Sequence, residues 1–182
     1  TVAGAGAGAG AGEAELLRRF GERLGALGPA GETELHELSA SDAQQFLRDL
    51  VAQYSGADVL VAGEPSEKRE YRLGITPAAL LIADTGGVVL DLPQRERGRA
   101  STLVDTHVVV ATRDQLVAAL GDAITERAAR RESGSWGGYQ VFVTGPSRTA
   151  DIEKVLVIPA HGPRRLVVVL TDRPVDLGAV RR

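Results

Sequence analysis

Apolar residues recur at helical spacing in three stretches of the chain and run almost unbroken in several others. Between Glu13 and Leu27, the residues Leu16, Leu17, Phe20, Leu24 and Leu27 fall on one face, which predicts an amphipathic helix with its charges outward, stopped by Gly28 and Pro29. Ser41-Asp-Ala-Gln44 reads as a capping box that opens a second helix, with Ala43, Phe46, Leu47, Leu50, Val51 and Tyr54 on its buried side. Thr112-Arg-Asp-Gln115 repeats that logic and predicts a third helix running towards Arg131, carrying Leu116, Val117, Leu120 and Ile124.

The short apolar runs at 57–61, 78–83, 87–92, 106–111, 140–144 and 166–170 have the length and β-branching of buried strands. Several lack polar alternation, so both faces of a sheet are expected to be covered. Asp84-Thr-Gly-Gly87 separates two of these runs and predicts a hairpin, which makes the sheet mixed. Residues 152–158 fit a short helix or a further strand equally well. The expected fold class is therefore α/β, a mixed sheet layered by helices, in one domain over residues 13–182. Residues 1–12 form a low-complexity Ala/Gly arm ahead of it.

Composition narrows the chemistry. With three Phe, three Tyr and one Trp in 182 residues, the core must be aliphatic. The absence of Cys excludes disulfides, thiolate nucleophiles, Cys zinc sites and cysteine-ligated iron–sulfur clusters. No secretory apolar stretch and no apolar run near the length of a membrane span occurs, so the chain is expected to be cytoplasmic. Met is also absent, even as initiator, so the amino terminus is expected to have been trimmed or replaced, and an address lost with it would leave no trace. The net charge of −3 is uneven: residues 1–91 hold 7 basic and 14 acidic side chains, residues 92–182 hold 14 basic and 10 acidic. A basic half suits an anionic small molecule or an acidic partner, although scattered surface charge accounts for it as well. Nucleic acid is not expected, because the basic residues are not interleaved with stacking aromatics.

Familiar motifs are mostly excluded. The alternation over residues 3–12 places Ala wherever the third glycine of a G-x-G-x-x-G fingerprint would stand. Only Lys68 and Lys154 occur and neither follows Gly, so there is no Walker A loop, and no G-x-S-x-G elbow is present. His36, His107 and His161 are too dispersed for a metal site. His161, followed by Gly162 and Pro163 in a loop, is the better acid–base candidate among them. Asp84-Thr85-Gly86 matches the Asp-Thr-Gly of aspartic proteases, but a single copy needs a homodimer to form the dyad, and such proteases are shorter and all-β. A turn that needs Gly for positive φ is the competing explanation. Thr144-Gly-Pro-Ser-Arg-Thr-Ala-Asp-Ile-Glu153 follows a strand and reads as a helix start with Pro146 near the first position. The hydroxyls of Ser147 and Thr149 with the Arg148 guanidinium would make an anion site there, while capping and ion pairs among Arg148, Asp151 and Glu153 explain the same residues.

Two stretches, Leu81-Ile-Ala-Asp-Thr-Gly-Gly-Val-Val-Leu90 and Gly145-Pro-Ser-Arg-Thr-Ala-Asp-Ile-Glu153 followed by His161-Gly-Pro163, resemble the LUD-domain (DUF162-like) family, in particular its lactate-utilisation protein C group. Gly98-Arg-Ala-Ser-Thr-Leu and Thr106-His-Val-Val-Val110 fit the same pattern, so the resemblance covers about residues 35–172. The chain departs from it at Asp84, where Glu is commoner, and at Gly87, where Thr is common. The resemblance implies a fold like that of ribose-5-phosphate isomerase and CoA transferases. It also implies a component of L-lactate oxidation to pyruvate that acts with iron–sulfur partner proteins and carries no redox cofactor of its own. The alternative is a stand-alone isomerase or acyl/CoA-transferase-like enzyme acting on a small anionic metabolite. Motif position and chemistry select Asp84, Glu153 and His161 as catalytic candidates. Thr85, Gly86, Gly87, Ser147, Arg148, Thr149, Asp151 and Gly162 are the candidates for binding a small carboxylate or phosphate, with no metal ligand among them.

Overall fold

In the computed structural model of the chain, the described residues are 6–61, 71–92, 99–134, 139–146, 149–150, 156–157 and 162–181. The aliphatic run near the C-terminus forms β11 (Arg165–Thr171), which is buried from Leu166 onward. It pairs in parallel with β1 (Thr33–Leu38) on one side and β6 (Val104–Thr112) on the other. β3 (Tyr71–Pro77) and β2 (Val59–Val61) complete an all-parallel sheet of order β1-β11-β6-β3-β2. Its unbroken apolar central strands follow from burial on both faces. On one face, α2 (Ala40–Ala52) packs Ala43 and Leu47 against Leu73, Ile75, Val108 and Val167. On the other, α1 (Gly6–Gly25) packs Leu17, Phe20 and Leu24 against Val109, Leu166, Val168 and Leu170.

The remaining strands make a second, mixed sheet of order β7-β4-β5-β8, from β4 (Leu80–Ile82), β5 (Gly87–Leu92), β7 (Leu116–Val117) and β8 (Tyr139–Val143). β4 and β5 are the antiparallel pair expected around the Asp84 turn, and β8 extends it antiparallel. Leu81, Ala83, Val88 and Leu90 belong to the same core as α1, so this helix serves both sheets. On the outer face, α4 (Leu120–Glu132) seats Ala123 against Leu80, Ile82 and Val89. The short α3 (Arg99–Thr102) lies on β3, where Gly74 admits it: a Cβ there would stand 1.8 Å from the Ala100 carbonyl oxygen.

The α/β class holds, with the strands divided between two main sheets instead of one. α1 begins at Gly6, within the Ala-Gly alternation, so the helix extends beyond its amphipathic part. The N-cap of α2 is Ser39, two residues earlier than the capping box suggested: its Oγ accepts from the Asp42 amide at 3.1 Å and donates to the Asp42 carboxylate at 2.7 Å. Asp172 adds a second cap from a distant loop, accepting from the Ala40 amide at 2.8 Å, and that backbone bond lowers its pKa. The third predicted helix is present as α4, carrying Leu120 and Ile124 past Arg131, but its start is a correction. Thr112 and Gln115 do form the capping box, but it opens only the 3-10 turn Arg113–Gln115. Leu116 and Val117 then leave the helical path to pair with Leu81 and Ile82. Gln115 also donates to the Ala78 carbonyl at 2.8 Å, which ties the turn to the sheet. Among the described residues no helix is long and apolar enough to cross a membrane.

The expected helix after Thr144 is a second correction. Thr149 and Ala150 form β9 (Thr149–Ala150), paired antiparallel with β10 (Leu156–Val157), with Thr149 opposite Val157. Strand pairing of the backbone at Thr149 and Ala150 excludes a helical path there. The anion site drawn from a helix N-terminus therefore loses its helix.

Candidate functional site

The Asp84–Gly87 turn is fixed from several sides. The amides of Ala83 and Asp84 donate to the carbonyls of Val117 and Ala118 at 2.9 and 3.0 Å. Gly86 adopts φ +65°, and a Cβ there would lie 2.5 Å from the Leu24 amide nitrogen, so α1 approaches closely because the residue has no side chain. Asp84 is half-exposed and its carboxylate pairs with Arg19 of α1 at 2.9 Å. The positive-φ reading of the turn thus holds, and two of its residues are engaged by α1.

The other two face a cavity. Thr85 and Gly87 line it together with Thr144 at the end of β8, and its volume is about 350 Å³. The Thr85 hydroxyl accepts from the Gly87 amide at 3.1 Å, leaving its proton for another acceptor. Most of the remaining wall is apolar: Ile82 and Val88 from the sheet, Leu120 and Ile124 from α4, Phe142 and Val143 from β8, with the Arg127 side chain among them. Gly145, the next residue after Thr144, packs against Leu27, just beyond α1. The two motif-bearing segments, around Asp84 and around Thr144, therefore converge on one end of α1.

Gly162 is half-buried, with φ +121°, just before β11. Nearby, Arg164 donates its amide to Asp105 and Leu166 donates its own to Glu32, each at 2.8 Å. It does not line the cavity. Ser147, Arg148, Asp151, Glu153 and His161 lie outside the described residues, and Thr149 is placed by its backbone alone. Among the described residues, no group of three or more His, Asp or Glu is arranged to hold a metal ion.

Two further residues stand out. His107 is fully buried in β6 and its Nε2 lies 2.8 Å from the Thr76 hydroxyl, while Nδ1 has no partner among the described residues. Burial pushes its pKa down to about 3, so the ring is neutral. Glu34 joins β1 to β11 through Arg165 and also meets His36 at 3.1 Å. Burial alone would raise the Glu34 pKa, but the Arg165 and His36 contacts outweigh it and the net direction is down. Arg127 was not singled out by the sequence reading. The stripe Leu120, Ile124, Arg127, at helical spacing, was the signal that could have marked it.

Comparison with known proteins agrees with this architecture. A solved DUF162 family protein from Deinococcus radiodurans superposes with a TM-score of 0.62 over 87% of this chain and 98% of its own, at 23% identity, a likeness of fold. The chain is 35% identical over 119 residues to Lactate utilization protein C of Deinococcus radiodurans, matching 63% of this chain and 55% of that protein. It is 24% identical over 188 residues to Lactate utilization protein C of a Geobacillus species, covering 84% and 78% respectively. The match thus spans little more than half the Deinococcus protein. The LUD domain model matches residues 14–171, which takes in the amphipathic part of α1, both main sheets and the cavity, and the chain belongs to the LUD domain family.

Proposed function

We propose that the chain serves lactate utilisation, as a component of the oxidation of L-lactate to pyruvate that acts beside iron–sulfur partner proteins. The observation that carries this reading is that relatives aligned across its domain bear the name Lactate utilization protein C. The composition fits the division of labour: a sequence without Cys cannot ligate a cysteine-bound cluster, so any such cluster belongs to a partner. The Asp84–Gly87 turn and the end of β8 are the surface at which this chain takes part, with Asp84, Glu153 and His161 as proton-handling groups. Thr85, Ser147, Arg148 and Thr149 are the groups for a carboxylate. Arg148 supports that role by its guanidinium fork, which matches a carboxylate without help from a helix dipole.

Deleting the gene in its native host tests the reading. The strain is expected to lose growth on L-lactate while growing normally on glucose, and a plasmid copy is expected to restore it. A plasmid copy carrying Arg148→Ala is expected to fail at unchanged protein level. Undiminished growth of the deletion strain on L-lactate as sole carbon source would end the proposal. Turnover of acyl-CoA or a sugar phosphate by the isolated chain would favour the stand-alone enzyme instead.

A further inference from the structure

Three of the four exposed large hydrophobic residues among those described, Leu120, Ile124 and Phe142 at 44, 50 and 41% exposure, line one cavity beside the Asp84–Gly87 turn. They are not there to hold the fold. α4 is anchored by Ala123, which is buried against Leu80, Ile82 and Val89, whereas Leu120, Ile124 and Arg127 follow at i, i+4 and i+7 on another stripe. That stripe and Phe142 line the cavity together with Ile82 of β4 and Val88 of β5. The volume, about 350 Å³, falls within the roughly 300–1,000 Å³ range of small-molecule sites.

The polar part of the lining is equally particular. Arg127 is half-buried and makes no ion pair or hydrogen bond among the described residues, while Arg19, Arg113, Arg130 and Arg165 each hold a carboxylate. An arginine side chain at the edge of an apolar wall is complemented by an anion that accepts its forked donors. L-Lactate does not suit this lining: it is small, it carries a hydroxyl that wants its own partners, and it leaves the apolar walls in water.

We infer that the cavity between α4 and the β5–β8 pair binds an amphipathic monocarboxylate, with its carboxylate on Arg127 and an aliphatic or aromatic body against Leu120, Ile124 and Phe142. The inference stands on the cavity alone and goes beyond the lactate reading, since it concerns a second, larger acid that this chain holds directly.

Calorimetric titration of the full chain with decanoate below its micelle concentration, and with decanol and L-lactate as controls, tests it. Saturable binding of one decanoate is expected, with decanol at least tenfold weaker and no competition from a hundredfold excess of lactate. Arg127→Gln is expected to weaken decanoate about tenfold and leave decanol unchanged. Ile124→Asp is expected to abolish both, with unchanged thermal unfolding because the residue is half-exposed. Absence of saturable decanoate binding, equal affinity in Arg127→Gln, or wild-type binding by Ile124→Asp would overturn the assignment. Growth on lactate plays no part in these readouts, so failure here and failure of the lactate reading are separable.

Discussion

The outer face of the five-stranded sheet is covered by α2 and by the C-terminal residues Val175, Leu177 and Val180, whereas that of the four-stranded sheet has α4 seated over β4 and β7. Both sheets share α1 on their inner faces. In the first, Leu73 and Val108 are fully buried under α2; in the second, Phe142, paired with Val89, remains 41% exposed. Apolar area removed from water contributes roughly 25 cal/mol per Å², so the first sheet carries more of the stability and the second retains an apolar surface for something else. The division also separates the chemistry. The Asp84 turn, Thr144 and Arg127 all belong to the four-stranded side, and of the candidates among the described residues only Gly162, at the entrance to β11, belongs to the five-stranded side.

If that contrast is sound, substitutions in the two layers should differ in kind. The largest effect is expected at Gly74, where the Ala100 carbonyl leaves no room for a methyl group. Gly74→Ala should cost at least about 3 kcal/mol, a large share of the stability of an ordinary domain, and yield little soluble protein. Soluble, normally melting Gly74→Ala would show that α3 is loosely held.

Next in size is a matched pair. Leu73→Ala removes a fully buried side chain facing α2 and is expected to cost about 3 kcal/mol in urea unfolding, against under about 1 kcal/mol for Phe142→Ala. Equal costs would erase the difference between the outer faces.

A smaller, pH-dependent effect is expected from His107. Its folded pKa, about 3, lies below the ordinary 6.5, so below pH 6.5 the unfolded chain takes up a proton that the folded one refuses. The contribution is complete above that pH and is lost as the pH falls towards 3. It amounts to roughly 1.5 kcal/mol between pH 6.5 and about pH 5. The double substitution His107→Leu, Thr76→Val, which removes both partners of the buried contact, should flatten that slope in unfolding measured across the same interval. An unchanged slope would move the acid sensitivity elsewhere. The smallest effect is expected from Arg127→Gln, within about 0.5 kcal/mol of wild type, because the residue has no partner among those described; a larger loss would make it part of the scaffold.

The elements legible in the chain were those whose residues speak for themselves. β5, β6, β8 and β11 are aliphatic runs, and each was recognisable within two residues of its ends. β1 was not, because Thr33-Glu-Leu-His-Glu-Leu38 alternates weakly on a half-buried edge. β3 was hidden by Gly74 and Pro77, which ordinarily argue against a strand. Gly74 is required by a helix that approaches from elsewhere in the chain, which no local pattern announces. The same limit applies at the site. The Asp84 turn was visible as a turn, but its contact with Leu24 and its pairing with Arg19 depend on α1 folding back across it. The capping box at Thr112 was real and still misled, because pairing of Leu116 and Val117 with β4 overrode the helical path.

The position of β11 has a bearing on how the chain comes to be folded at all. It is the last long strand among the described residues and it lies inside the sheet, with β1 from near the start of these residues on one side and β6 from their middle on the other. Until it emerges from the ribosome, β1 has no neighbour to pair with, and Leu17, Phe20 and Leu24 on α1 lack the Leu166, Val168 and Leu170 surface that covers them. Closing so long a loop costs chain entropy before any contact repays it, so folding is expected to be late, cooperative and slow for a domain of this length. A nascent chain stopped short of Arg165 would present an uncovered aliphatic helix and two open strand edges, the kind of surface that chaperones bind and that aggregates otherwise.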